Sequence, residues 1–272
     1  MPNIDILILA IIRGVSEILP IDSAAHIALA GHLYCWQEQG QSMIAAASAG
    51  ALAALLLYFI GDVFDMARSM LRVLRGKRDP GAAIVLFLFG GSVPALLVMF
   101  VVRYFLDFTI SDPIYIGALL VAFAVVLYVA DQTGLTVRRM EQMNFAQASI
   151  IGLFQVLALL PGVGRIGVAI TVGRMLGYER IDSARFALLL SIPWLLASTL
   201  YHGYLGVSAG EAPELQSLVL MASVTAIAAF FAIVFLMYWL RQGTLTLFVI
   251  YRAVFGGVMI YALYGLPGLF CW

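Results

Sequence analysis

Charge is scarce in this 272-residue chain, with Asp, Glu, Lys and Arg together making up 11% of it. A water-soluble domain carries about a quarter charged residues and just under half apolar ones. Here 63% are hydrophobic and the mean hydropathy is +1.03. That excludes a water-facing surface and leaves lipid as the solvent. The net charge is zero, so the electrostatic footprint of a nucleic-acid binder is missing. Lysine is nearly absent, Lys77 standing alone against fourteen arginines. Only two cysteines occur, Cys35 and Cys271, which argues against a disulfide framework or a Cys-based metal site. There is no Walker A sequence, no HExxH and no paired CxxC. Met1 to Leu9 lacks a basic n-region and a small-residue cleavage site, so it reads as mature protein rather than a signal peptide.

What is present is a series of long apolar runs. A bilayer core about 30 Å thick needs roughly 20 apolar residues of helix. The runs near 43–60, 84–104, 114–131, 184–203, 216–240 and 246–265 meet that requirement. Two further stretches differ. Residues 4–34 carry Pro20 among Arg13, Glu17, Asp22 and His26, and 146–173 contain Pro161-Gly162-Val163-Gly164-Arg165-Ile166-Gly167. A breaker near the middle leaves each half too short to span. Such backbone is tolerated at membrane depth only where protein or a watery cavity satisfies it. The expected fold is therefore all-α and integral to the membrane, with about six spans and two re-entrant helix hairpins.

Basic residues set an orientation. Arg68, Arg72, Arg75, Lys77 and Arg78 fall in a loop at 61–80; Arg138 and Arg139 lie in 131–145, and Arg174, Arg180 and Arg185 in or beside 174–185. By contrast, 105–113 holds Asp107 and Asp112, and 204–215 holds Glu211 and Glu214, both without a base. Positive residues stay inside, so the first group is expected in the cytoplasm and the second outside, with both termini external. The hairpins then enter from opposite sides, the first from outside. Each precedes three spans, giving a single membrane domain of two inverted repeats, 1–131 and 132–272. Glu17-Ile18-Leu19-Pro20 with Ser23 echoes Ala158-Leu159-Leu160-Pro161 with Gly164 at a fixed offset of 141. Inverted repeats of broken helices place their polar site where the loop tips meet, near the midplane.

Ionisable groups within a membrane segment are costly and face a cavity or each other. Arg13 and Glu17 share a helix face at i,i+4, as a functional pair or a purely structural one. Asp22 or Ser23 is an N-cap for the helix after Pro20, and a cap is all that Asp22 need be. His26, one turn on, is expected to face the same opening, with a helix-to-helix hydrogen bond as the plainer role. In the second hairpin the glycine-rich turn offers backbone N–H groups and Arg165, suited to phosphate or to locking the two loops together. Arg252 reads as a tie between helices; His32, His202, Glu38 and Arg103 read as interfacial, and the tryptophans as belt or packing residues.

The run Gly14-Val15-Ser16-Glu17-Ile18-Leu19-Pro20-Ile21-Asp22-Ser23-Ala24-Ala25-His26 resembles the first signature of the bacterial undecaprenyl-diphosphate phosphatases, the bacitracin-resistance family, roughly E-G-x-T-E-[FW]-L-P-[VI]-S-S-T-G-H. Gly152 to Gln155 and Leu160-Pro161-Gly162-Val163-Gly164-Arg165 resemble the second, roughly Q-x-x-A-L-x-P-G-x-S-R-S-G. Ser191-Ile192-Pro193 and Ile250-Tyr251-Arg252 extend the likeness over essentially the whole chain. The resemblance implies six spans, two oppositely entering hairpins, and a site of paired Glu, Ser, His and Arg that binds a divalent metal and the diphosphate. Glu17, Ser23, His26 and Arg165 match that pattern, whereas Arg13 stands for the first Glu and Asp22 for the first Ser. Gly164 and Ile166 replace serines, Ala169 a Thr, and Arg185 aligns with a Glu.

The implied activity is removal of one phosphate from a polyprenyl diphosphate at the outer face of the bacterial cytoplasmic membrane. Expected catalytic residues are Glu17, Asp22, Ser23 and His26, with Arg13, Gly164 and Arg165 binding phosphate. Glu17 and Asp22 are the expected ligands of Mg²⁺ or Ca²⁺. Expected partners are the polyprenyl (di)phosphate lipid, the membrane and a second copy in a homodimer, with no nucleic acid. The alternative is a non-hydrolytic relative that transports or flips a polyprenyl phosphate or another anionic lipid.

Overall fold

A computed structural model describes residues 3–34, 36, 40–77, 79, 81–102, 112–134 and 136–265. Cys35, Glu38, Arg78, Arg103, Asp107, Cys271 and Trp272, used in the sequence reading, lie outside the described residues. The chain is an all-α integral membrane protein. Its helices are α1 (Asn3–Ile18), α2 (Ser23–Tyr34), α3 (Gln41–Tyr58), α4 (Ile60–Leu74), α5 (Gly81–Val101), α6 (Pro113–Thr133), α7 (Phe145–Phe154), α8 (Arg165–Met175), α9 (Arg180–Ser208), α10 (Leu215–Trp239) and α11 (Thr246–Gly265). By length and composition α3, α5, α6, α9 and α10 can cross a bilayer. The 20 residues of α11 reach about 30 Å at the helical rise of 1.5 Å per residue.

Both expected breaks are present. The first hairpin divides into α1 and α2 around Pro20, which has no N–H to donate to a helical ladder. The second runs from α7 through a 3₁₀ segment (Gln155–Leu159) and the Pro161–Gly164 turn into α8. Asn144 starts α7 by accepting from the Gln147 N–H, while the Gln147 side chain accepts from the Asn144 N–H. One expectation needs correction: residues 61–80 are not a loop, because most of them form α4. Phe64, Leu71 and Leu74 are interleaved there with Asp62, Arg68 and Arg72, an amphipathic pattern, and those three apolar side chains are exposed.

Small residues let the helices approach closely, as membrane packing requires in the absence of a hydrophobic drive. Gly14 of α1 lies against Ala228 of α10, and Gly50 of α3 against Ala222. Gly152 of α7 meets Gly91 of α5, and Gly117 of α6 meets Gly256 of α11. At the centre sits α8, every residue from Arg165 to Arg174 buried, packed on α6, α7 and α9. A helix enclosed on all sides needs no amphipathic stripe.

The segments expected inside meet one another. Arg185 bonds Asp62 at 2.5 Å, Arg180 bonds Asp131 at 2.6 Å, and Arg139 pairs with Glu179 at 3.5 Å. Of those expected outside, Glu211 accepts from the N–H groups of Gln41 and Ser42 at the start of α3, both at 2.8 Å.

Candidate functional site

The two loop tips touch. Asp22 sits just before α2, its backbone at φ +70°, a left-handed conformation that Asp tolerates better than most side chains. Its Oδ2 accepts from the Ala25 N–H at 2.9 Å, capping α2, and from the Gly162 N–H of the other hairpin at 2.8 Å. Gly164, at φ +76°, lies so close that an added Cβ would stand 3.3 Å from Asp22 backbone atoms. From α11, buried Arg252 donates to the carbonyls of Pro20 (3.3 Å), Gly162 (2.8 Å) and Val163 (3.0 Å). The turns end with carbonyls that no helix satisfies, and one guanidinium gathers three of them.

Above this junction opens a cavity of about 610 Å³. Arg13, Glu17, Asp22, Ser23, Gly164 and Arg165 all line it. Arg165, the first residue of α8, donates from Nη2 to Glu17 Oε1 at 2.7 Å and lays its guanidinium 5.2 Å from the centre of the Trp194 ring. Its Nη1 is buried with no hydrogen-bond partner, and so is the Ser23 hydroxyl. Buried donors are nearly always paired, so two unspent ones on residues that line one cavity suit an acceptor bound there. Arg13, one turn earlier on α1, also acts on Glu17 electrostatically.

A second, apolar cavity of about 500 Å³ adjoins the first, with Met99 and Trp194 in both walls. Leu96, Leu97, Phe100, Ala197 and Tyr201 of α5 and α9 line it.

Of the residues picked from sequence, Arg13, Glu17, Asp22, Ser23, Gly164 and Arg165 come together. His26 does not join them. Its Nδ1 bonds the Asp22 carbonyl at 2.6 Å and its Nε2 the Tyr251 hydroxyl at 2.7 Å. Its ring stacks on Phe255 with centroids 4.2 Å apart, so it faces α11 rather than the cavity. The expectation that it shares the opening fails because Tyr251 and Phe255 of α11 hold its ring on their side. Two residues matter that sequence did not single out: Trp194 supports Arg165 and Tyr251 holds His26. Arg252, expected to tie helices, ties the loop tips instead. Trp194 follows Pro193 in a motif already noticed, but nothing in its spacing marks the residue above it.

The chain's residues 6–258 match the family described as "Bacitracin resistance protein BacA". The chain belongs to that family. It is 38% identical over 275 residues to a Rhodospirillum rubrum protein named "Undecaprenyl-diphosphatase 1", covering 98% of this chain and 97% of the relative. A Paramagnetospirillum magneticum protein of the same name is 36% identical over 262 residues, covering 94% and 96%. A Ruegeria "Undecaprenyl-diphosphatase" is 34% identical over 267 residues, covering 97% and 100%.

The divalent ion that resemblance to the BacA family implies does not suit this donor set. Among the described residues no group of three or more His, Cys, Asp or Glu could hold a metal. Of the two expected ligands, Asp22 spends Oδ2 on two N–H groups and Glu17 spends Oε1 on Arg165. Both carboxylates also act on arginines, Glu17 on Arg13 and Arg165, Asp22 on Arg252. A hard cation would find two partly committed carboxylates, the rest of its oxygens left to water and phosphate, beside the repelling guanidiniums of Arg13 and Arg165.

Proposed function

We propose that this protein hydrolyses a polyprenyl diphosphate, undecaprenyl diphosphate in a bacterial cytoplasmic membrane, to the monophosphate, and so serves recycling of the carrier lipid. The observation that carries this reading is the pair of buried, unspent donors, Arg165 Nη1 and the Ser23 hydroxyl, at a cavity wall. Phosphate oxygens are strong acceptors, and a guanidinium fork matches them in pairs. The adjoining apolar cavity between α5 and α9 suits the first units of an isoprenoid tail. It runs along the ends of those helices expected towards the outside, which agrees with hydrolysis at the outer face. The names of the relatives favour hydrolysis over transport of the same lipid.

Chemistry follows from the geometry. The terminal phosphate accepts from Arg165 and Ser23 and draws Arg165 away from Glu17. Glu17 is then free to take the proton of the attacking oxygen, a water's or that of Ser23. The oxygen bonds to the terminal phosphorus, the bond from that phosphorus to the bridging oxygen breaks, and the bridging oxygen leaves on the lipid monophosphate. If Ser23 attacks, a water then displaces it. Arg13 and Arg165 neutralise the charge that develops on the phosphoryl oxygens. Asp22 and His26 already have other bonds, which favours Glu17 as the base.

The two halves, 1–131 and 132–272, are proposed as inverted repeats. Packing of α1 on α10 is answered by α7 on α5, and α3 on α10 by α9 on α5. The crossings α3–α9 and α6–α11 pair equivalent helices, through Ser48 with Ser198 and Gly117 with Gly256.

The test is phosphate release from undecaprenyl or farnesyl diphosphate by the purified protein in detergent. Release by the intact chain, lost in Ser23→Ala, is expected. Absence of release from folded protein that still binds the lipid would sink hydrolysis and leave transport.

A further inference from the structure

Two arginines, Arg13 and Arg165, and two carboxylates, Glu17 and Asp22, line the cavity. Asp22 is used up in joining the loop tips, which Arg252 ties together as well. What remains facing the cavity is two guanidiniums and one carboxylate. Glu17 has only its second oxygen to offer a cation while Oε1 holds Arg165, and any ion beside it would feel the charge of Arg13 as well. A diphosphate meets the opposite situation. It finds permanent positive charge, an unspent N–H on Arg165 and an unspent hydroxyl on Ser23.

We infer that this chain holds the diphosphate directly on Arg13 and Arg165 and needs no divalent cation to do so. The inference rests on the diphosphate reading above but not on hydrolysis. A divalent ion would serve a phosphate by bridging its oxygens and neutralising their charge. Two guanidinium forks, whose charge does not titrate, can do the same. Arg165 is well placed for this because the Trp194 face fixes its plane while Nη1 stays available. Arg13 sits one helical turn before Glu17 on α1, in the wall of the same cavity, so α1 and α8 each bring one arginine to it.

Farnesyl methylenediphosphonate, whose P–C–P bridge resists hydrolysis, is the probe. Its affinity for the full-length protein in detergent is measured by calorimetry in EDTA and in millimolar Mg²⁺ or Ca²⁺. The affinity is expected to agree within about threefold between the two conditions. Arg13→Glu restores a second carboxylate at i,i+4. In EDTA it is expected to weaken binding about tenfold or more, the scale of a charge-assisted hydrogen bond, and Mg²⁺ should recover part of that loss. Arg13→Lys, which keeps the charge without the fork, should fall between. Binding by the unaltered protein that vanishes in EDTA and returns with the ion overturns the inference, with no variant needed. Phosphate release from farnesyl diphosphate, followed on the same preparation, separates the two readings. Ion-independent binding without release would remove the phosphatase while leaving the inference in place.

Discussion

The two ends of α8 each carry a buried arginine, and the two are used in opposite ways. Arg174, near the C-terminal end, donates to the carbonyls of Tyr178 (2.5 Å), Gly134 (3.1 Å) and Asp131 (3.2 Å) and pairs with the Asp131 carboxylate at 3.2 Å. Arg165, at the N-terminal end, makes one hydrogen bond, to Glu17, and leaves Nη1 unspent at a cavity. Nine residues apart on one enclosed helix, they separate structure from function by how many donors are already committed. Burial alone does not, since both are among the buried residues. Arg252 belongs with Arg174 in this respect, three carbonyls having claimed it.

The largest effect expected from breaking this contrast lies at the inner end. Arg174→Ala leaves buried Asp131 with Arg180 and the Leu245 N–H as partners and strips donors from three carbonyls. It should destabilise the protein by about 3–5 kcal/mol, the usual result of removing one member of a buried pair. SDS titration of the helical signal checks this. Phosphate release per folded molecule should stay close to normal.

A smaller effect is expected where the scaffold borders the site. Asp22→Ala orphans the N–H groups of Ala25 and Gly162 and should cost about 1–3 kcal/mol. Unlike the change at Arg174, it should also slow release, because the two tips that bear Ser23 and Arg165 lose their joint. Normal turnover with lowered stability would move Asp22 to the purely structural side of the comparison.

The smallest effect lies far from both arginines. Hydrogen bonds from the Ser42 and Gln41 backbones hold the Glu211 carboxyl below its usual value of 4.5. The folded protein thus takes up this proton less readily than the unfolded chain. The stability it adds is complete above pH 4.5 and is lost as pH falls through the lowered folded value. Melting curves of the protein and of Glu211→Gln should differ at neutral pH and converge in acid.

Much of the fold was legible because lipid imposes strict rules. Pro20 and Pro161-Gly162 marked both breaks, and each apolar run near 20 residues became a helix. The α4 segment reads as a loop from its arginines alone, and only the helical spacing of Phe64, Leu71 and Leu74 shows the helix. At the site, Glu17, Ser23 and Arg165 stood out as polar groups in apolar surroundings. Trp194 and Tyr251 did not, and the partners of Arg252 were not legible, because each depends on residues 29 or more positions away in the chain. His26 illustrates the same limit from the other side: its chemistry was readable, but its direction depended on α11.

Arg165→Gln tests the central claim most directly, with phosphate release and thermal melting read on one preparation. The account predicts release lower by about 10²–10³-fold, as for loss of one preorganised donor to a reacting centre, with melting little changed. Near-normal release, or a loss of stability as large as that expected for Arg174→Ala, would contradict it and make Arg165 another structural tie.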